Sequence, residues 1–281
     1  MRRRVLFVLA TVVLLGLLGA APAGAAEATG APVVAKVRLR GPVYLALGDS
    51  VAAGVGASDP TTSAYVPLLA ARLRKQLHCW PSWHCRRLAL HNLGVSGATT
   101  ASLIADPAQL EAAEAELKAR NHDWNPRNDV KVVTIDIGGN DAFAAVPSCL
   151  DPTAPGCAAA VQARLDAFQA NFDEILGRLR AAAGRRTRIV AMTYYNPLPA
   201  CQLAPLTDLG SAVLEGGTPL VDQGLNDRIR TVAAAHHVRV AETYGLLAND
   251  DLVGGFDCLH PDDSGHELLA GAFAAALRLA S

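Results

Sequence analysis

Short apolar runs alternate along the chain with longer stretches in which apolar residues recur every three or four positions. A short run bounded by polar or glycine residues is typical of a buried strand, whereas the wider spacing is typical of an amphipathic helix. Five runs predict strands at residues 43–47, 88–93, 130–137, 187–193 and 238–241.

The helical spacing falls between these runs and after the last of them. It predicts helices at about residues 64–77, 108–119, 161–179, 221–236 and 268–277. Strands that alternate with helices predict a parallel sheet that is covered on both faces. We therefore expect an α/β fold, a three-layer α/β/α sandwich with a five-stranded parallel sheet.

The first residues have the form of an export signal. Three arginines precede an apolar stretch at 5–21, and Ala23-Gly24-Ala25 has the small-x-small form of a signal-peptidase site. An uncleaved membrane anchor is the alternative, because this stretch is close to the shortest transmembrane span of about 17 residues. We expect a secreted, extracellular protein without stable membrane insertion, divided into a signal peptide at 1–25, an extension at 26–40 and one domain at 41–281.

The chain contains six cysteines, and an even number in an exported protein indicates disulfides. Sequence alone allows 15 pairings. Two pairs would close short loops, which leaves one long-range pair, and the expected bridges are Cys79 with Cys85, Cys149 with Cys157 and Cys201 with Cys258. Because two histidines lie at 78 and 84, a metal site is the alternative for the first pair, although its spacing is not that of a zinc ribbon.

Polar and glycine-rich motifs follow the first three predicted strands. They are Gly48-Asp49-Ser50, the segment from Asn92 to Gly97, and Gly138-Gly139-Asn140-Asp141. In open parallel sheets ligands bind at the carboxyl ends of the strands. The three motifs should therefore meet at one edge of the sheet, although they are far apart in sequence.

A fourth motif, Asp257-Cys258-Leu259-His260, lies near the end of the chain. A serine hydroxyl is a weak nucleophile at neutral pH and needs an adjacent base, for which histidine is suited. His260 can serve as that base for Ser50. Asp257, three residues earlier, can accept a hydrogen bond from the other imidazole nitrogen and fix the tautomer.

These four motifs resemble the conserved blocks of the SGNH or GDSL family of lipases and esterases, with Val51 where the family name has Leu. The resemblance spans the chain from Val43 onward and implies a flavodoxin-like SGNH hydrolase domain. It also implies roles for five residues. Ser50 would be the nucleophile, His260 the base, Asp257 its partner, and the amide of Ser50 with Gly97 and Asn140 would form the oxyanion hole.

Each motif alone is a common turn sequence, and only their conjunction at strand ends favours a hydrolase site. We interpret Asp49 and Asp141 as carboxylates that brace loops without a chemical role. His266 is expected on the last helix, and His260 is preferred as the base because only His260 has an aspartate three residues before it.

The substrate should be a small-molecule or lipid ester, selected by two loops at 142–160 and 194–219. Six apolar side chains in them favour carboxylic esters with short to medium acyl chains: Val146, Leu150, Leu198, Leu203, Leu206 and Leu214. Two alternatives stay open, an O-acetyl esterase acting on carbohydrate or cell wall and a secreted binding protein without turnover.

No metal or organic cofactor is expected, because the reaction needs only water as second substrate. The net charge is −1, with acidic and basic residues interspersed, so the chain lacks the basic stripe of a nucleic-acid-binding protein. We expect a monomer that does not bind nucleic acid.

Overall fold

Five parallel strands form the central sheet of the computed structural model, which describes residues 41–76, 88–201, 206–255 and 257–279. Their order across the sheet is β2-β1-β3-β4-β5, and every neighbouring pair is parallel. The strands are β1 (Val43–Gly48), β2 (Ala89–Asn92), β3 (Val130–Asp136), β4 (Arg188–Met192) and β5 (Arg239–Ala241).

The burial of the strands explains why they appear as apolar runs in the sequence. All residues of β1 and nearly all of β3 and β4 are buried, whereas the edge strands β2 and β5 are partly exposed. A strand covered on both faces has no solvent side and therefore lacks polar alternation. The predicted fold class and the five strands are confirmed, with no strand end shifted by more than one residue.

Helices connect the strands and cover the sheet. The α-helices are α1 (Ser50–Ala53), α2 (Tyr65–Gln76), α3 (Thr100–Ala105), α4 (Ala112–Asn121), α5 (Gly139–Phe143), α6 (Pro155–Ala183), α7 (Thr207–Glu215), α8 (Leu225–Ala235) and α9 (Asp263–Ala276). A π-helical turn (Pro107–Glu111) leads into α4, and 3-10 turns occur at Val146–Cys149, Leu198–Ala200 and Asn249–Asp251.

Two helical layers cover the two faces of the sheet. Helices α2 and α9 pack against each other on one face, where the rings of Tyr65 and Phe273 stack at 4.8 Å between centroids. Helix α6 packs between α4 and α8 on the other face, and its Phe168 and Phe172 are buried as the spacing predicted. The chain is therefore an α/β/α sandwich.

The two stretches predicted as substrate loops contain more regular structure than expected. The stretch at 194–219 includes α7, and the stretch at 142–160 includes a 3-10 turn and the start of α6. Helix α7 was missed because Gly210 lowers helix propensity at its centre. The apolar spacing of Leu206, Leu209 and Val213 was the available signal.

The segment that carries Asp257 and His260 is a strand. It forms β7 (Asp257–Pro261), which pairs antiparallel with β6 (Leu252–Gly254) in a separate two-stranded sheet. Gly254 ends β6 and Gly255 follows it, and a Gly-Gly pair is a recognised hairpin signal. This hairpin, and not the main sheet, carries His260.

Candidate active site

The carboxyl edge of the main sheet gathers the three strand-end motifs. Ser50 follows β1 at the start of α1, Gly97 lies in the loop after β2, and Asn140 lies in the first turn of α5 after β3. The hairpin β6–β7 approaches this edge and brings His260 and Asp257 to it. The topology thus places all five predicted site residues around one rim.

Three of these side chains form a continuous hydrogen-bonded chain. Ser50 Oγ lies 2.8 Å from His260 Nε2, and His260 Nδ1 lies 2.6 Å from Asp257 Oδ1. Ser50 is 8% exposed and lines an apolar pocket. This is the geometry in which an imidazole can take a proton from a serine while a carboxylate holds its tautomer.

The turn that presents Ser50 is fixed from below. The Asp49 carboxylate caps α1 by accepting from the Val51 amide at 3.0 Å. Gly48 has φ +148°, and a Cβ there would lie 1.9 Å from Asp136 Oδ1, so only glycine fits between the buried carboxylate and the turn. Ser50 itself is the first helical residue, and its amide is among the first-turn N–H groups that have no acceptor within the helix.

The other two residues predicted for the oxyanion hole follow β2 and β3 at the same edge of the sheet. Gly97 has φ +79° with open space where a Cβ would be, so its glycine is required by backbone conformation. Asn140 Nδ2 donates to the Ala98 carbonyl at 2.9 Å. That bond orients the amide, and because an amide nitrogen has two hydrogens, the second is free to donate elsewhere.

Two buried carboxyl groups lie beneath the nucleophile. Asp49 accepts from the Tyr194 hydroxyl at 2.6 Å, and Asp136 accepts from the Tyr65 hydroxyl at 3.1 Å. Burial raises the pKa of Asp49 to about 6, against the opposing effect of its hydrogen bonds. Burial, followed by the nearby charge of Asp49, raises the pKa of Asp136 well above its usual range.

The remaining polar groups that the sequence singled out have structural contacts. Asp141 accepts from the amide and hydroxyl of Thr100 and so ties α5 to α3. His266 is completely buried on α9, where Nδ1 accepts from the Tyr65 amide and Nε2 contacts the Val55 carbonyl. Both ring nitrogens of His266 are therefore occupied away from Ser50.

An apolar pocket of about 160 Å³ opens beside Ser50 and His260. Four of the six apolar side chains predicted for an acyl groove line it, whereas Leu150 is 39% exposed outside it and Leu203 lies outside the described residues. Helix α7 supplies one wall. The hydrophobic lining includes Phe143, Val146, Val161, Leu198, Leu206, Leu209, Val213 and Leu214.

Two disulfides flank the pocket and the hairpin. Cys149 pairs with Cys157, and Cys201 pairs with Cys258, as the spacing predicted. The first pair adjoins the pocket wall at Cys149, and the second joins the 3-10 turn after β4 to the strand that carries His260. The predicted pair of Cys79 and Cys85 lies outside the described residues.

Sequence reasoning missed the tyrosines that follow β4. Tyr194 and Tyr195 are both buried, both line the pocket, and each donates a hydrogen bond to a residue next to the serine or the histidine. Their position at the end of a predicted strand was the available signal. Asp136 was also missed. It stands at the end of an apolar run, and nothing in the sequence of such a run indicates that a carboxylate at its end will be buried.

A serine, a histidine and an aspartate in hydrogen-bonded sequence at the carboxyl edge of an α/β sheet define a class of hydrolase. The model of the GDSL-like Lipase/Acylhydrolase family matches residues 46–268. The chain belongs to that family, and its class of reaction is the hydrolysis of carboxylic esters. No protein of curated function matches the chain in sequence.

Solved structures share the fold at low sequence identity. The lipase Lip_vut3 from a goat rumen metagenome is 20% identical with a TM-score of 0.58, over 83% of this chain and 96% of that one. An extracellular lipase from Streptomyces rimosus is 21% identical with a TM-score of 0.55, over 85% and 100%. Axe2, an acetylxylan esterase from Geobacillus stearothermophilus, is 18% identical with a TM-score of 0.53, over 85% and 94%.

Within the described ranges, no helix combines the length and apolar character needed to cross a bilayer. Across the same ranges, no group of three or more His, Cys, Asp or Glu side chains is arranged to hold a metal ion.

Proposed function

We propose that the protein is a secreted esterase that cleaves esters of medium-length acyl chains through an acyl-enzyme on Ser50. The observation that carries this proposal is the position of the Ser50 and His260 pair at the mouth of an apolar pocket. When the nucleophile lies beside an apolar cavity, the cavity can bind the acyl chain of the ester. The alcohol part, on the other side of the scissile bond, then points toward solvent.

The first half of the reaction forms the acyl-enzyme. His260 Nε2 takes the proton of Ser50 Oγ as that oxygen attacks the ester carbonyl carbon, and Asp257 stabilises the imidazolium through Nδ1. The carbonyl oxygen becomes an oxyanion, stabilised by the amides of Ser50 and Gly97 and by Asn140 Nδ2. The bond to the alcohol oxygen then breaks, and His260 returns its proton to that oxygen.

The second half repeats these steps with water. His260 accepts a proton from a water molecule, whose oxygen attacks the acyl carbon and regenerates the same oxyanion. Its collapse releases the carboxylic acid and returns the proton to Ser50. Apart from the ester and water, every group in the cycle is a side chain or amide of this chain.

The pocket supports an acyl-chain esterase over an O-acetyl esterase. An acetyl group has one methyl to bury, whereas each further methylene in an apolar site contributes about 0.8 kcal/mol. Contact with the apolar side chains of Phe143, Leu206 and Leu214 can therefore stabilise the binding of a longer acyl chain but not that of an acetyl group. Sugar recognition would need polar groups, and the surface of this pocket is mostly apolar.

The experiment compares p-nitrophenyl acetate, butyrate, octanoate and palmitate with acetylated xylan. We expect kcat/KM to rise from acetate to octanoate and expect no turnover by Ser50→Ala. Ser96→Ala, which removes an exposed serine from the same rim, is the matched control and should keep full activity. Hydrolysis confined to the polysaccharide would reject the acyl-chain proposal, and an active Ser50→Ala would reject the nucleophile.

Secretion is part of the same proposal. The two disulfides among the described residues need an oxidising compartment, and residues 1–25 have the pattern of a cleaved export signal. Expression of the full chain should give a protein in the culture medium whose first residue is Ala26, as N-terminal sequencing will determine.

A further inference from the structure

Two consecutive tyrosines after β4 reach the two halves of the Ser50 and His260 pair. Tyr194 Oη donates to Asp49 Oδ2 at 2.6 Å, and Tyr195 Oη donates to the Leu259 carbonyl at 2.9 Å. Asp49 immediately precedes the serine, and Leu259 immediately precedes the histidine. One dipeptide therefore contacts the residue before the nucleophile and the residue before the base.

The geometry of an extended chain explains how two adjacent tyrosines can contact two different elements of the fold. Successive side chains of such a segment point to opposite sides. Tyr194 is thus directed to the turn after β1, and Tyr195 to the β6–β7 hairpin, which is not part of the main sheet. The two tyrosines thus connect the element that carries Ser50 to the element that carries His260.

The dipeptide is itself held by a buried side chain. Asn226, completely buried on α8, accepts from the Tyr194 amide at 2.7 Å and donates to the Tyr194 carbonyl at 2.9 Å. Asn226 also donates to Glu215 at the end of α7 at 2.6 Å. Because the backbone of Tyr194 is held in this way, its hydroxyl can hold Asp49 in a fixed position. A hydroxyl on an unrestrained loop could not.

We propose that Tyr194 and Tyr195 are positioning residues that set the separation of the nucleophile and the base. The inference rests on the proposed function, because it presumes that Ser50 and His260 react together. Neither hydroxyl touches the substrate carbonyl in this assignment. Burial raises the pKa of both phenols well above their usual range, so both hydroxyls stay protonated and act as donors at every working pH.

The test uses Tyr194→Phe, Tyr195→Phe and the double variant. Each substitution keeps the ring that lines the pocket and removes only the hydroxyl. Tyr44→Phe is the matched control, because Tyr44 is also buried and its hydroxyl is hydrogen-bonded to Thr134 in the sheet, 2.8 Å away. We expect kcat on p-nitrophenyl octanoate to fall by about tenfold to hundredfold in the single variants, since small misplacements of reacting groups have effects of that size.

Four readouts separate positioning from a purely structural role. KM should stay within about twofold, because the pocket is unchanged, and the rate of Ser50 labelling by a fluorophosphonate should fall in parallel with kcat. The double variant should lose less than the product of the single losses, because both contacts define one separation. Urea unfolding should show similar destabilisation in all variants, including Tyr44→Phe, whose kcat should match the wild type.

The inference is overturned if both single variants keep kcat within about twofold while they are destabilised like Tyr44→Phe. A rise in KM with unchanged labelling would also overturn it, since that pattern assigns the tyrosines to the pocket wall. If Tyr194→Phe does not fold, Tyr195→Phe alone decides. An active Ser50→Ala, by contrast, would refute the proposed function itself.

Discussion

Replacing both cysteines of the Cys201 and Cys258 pair by serine should lower stability and impair catalysis through separate routes. The bridge closes a loop of 57 residues, and Cys258 lies between Asp257 and His260. The variant removes a constraint on the unfolded chain and also removes a tether on the hairpin that carries the base. The Cys149 and Cys157 pair, which closes a loop of 8 residues, offers a matched control.

The size of the stability loss follows from loop closure. The entropy of a closed loop grows with the logarithm of its length, which gives about 4 kcal/mol at 25 °C for the long loop and about 2.5 kcal/mol for the short one. The difference between the two variants is therefore about 1.5 kcal/mol. This difference is the sharper test, because effects of Cys→Ser common to both variants cancel.

The assay combines urea unfolding, followed by circular dichroism, with kcat on p-nitrophenyl octanoate in the absence of urea. We expect the variant at Cys201 and Cys258 to lose kcat although it is folded, and the control variant to keep it. Partial reduction of the wild type should likewise impair activity before global unfolding.

Two results would refute this reasoning. A larger stability loss in the short-loop variant would contradict the loop-closure argument. Unchanged kcat in the folded long-loop variant would show that the bridge does not restrain His260. Mass mapping of the oxidised protein that pairs Cys201 or Cys258 with another cysteine would remove the premise altogether.

Three further predictions test the oxyanion hole, the buried carboxylates and the pocket. Asn140→Ala should lower kcat by about 10²-fold to 10³-fold with little change in KM, as steady-state kinetics will measure. Burial raises the pKa of Asp49 from 3.8 in the unfolded chain to about 6 in the folded protein. The protonation of Asp49 therefore contributes to the free energy of unfolding at low pH, and this contribution is lost as pH rises through about 4 to 6. The loss is about 3 kcal/mol. Urea unfolding should therefore show Asp49→Asn gaining stability relative to wild type between pH 4 and pH 7, and a constant difference would contradict the assignment. Val213→Trp should fill the pocket, and exclusion of about two methylenes would lower the octanoate-to-acetate ratio of kcat/KM about 15-fold.

The parts of the fold that could be predicted are those with a local physical signal. Strands buried on both faces leave continuous apolar runs, and β1 and β3 were found within one residue of their ends. The site motifs could be placed at one edge because parallel topology makes the carboxyl ends of strands coincide. The roles of Ser50, His260 and Asp257 remain predictions, although the three side chains do lie in hydrogen-bonded contact.

The parts that could not be predicted depend on contacts between distant segments. Tyr194 and Tyr195 read as the end of a strand, and their acceptors are 145 and 64 residues away in sequence. Asp136 is completely buried, and its carboxylate lies so close to Gly48 that a Cβ there would be 1.9 Å from Oδ1. No local pattern carries such information, because burial is set by the packing of the whole sheet.

The nucleophile and the base lie on elements of different stability, and the additional contacts that restrain the site are found on the less stable one. Ser50 begins a helix directly after the central strand, so the core of the sandwich already fixes it. His260 lies on a two-stranded hairpin, an element that is marginally stable alone. Three contacts hold that hairpin and the residue after it: the disulfide at Cys258, the Tyr195 hydroxyl on the Leu259 carbonyl, and the Asp262 cap of α9. Because segments of low local stability open before the whole fold does, loss of these tethers should inactivate the enzyme at urea concentrations that leave the main sheet intact.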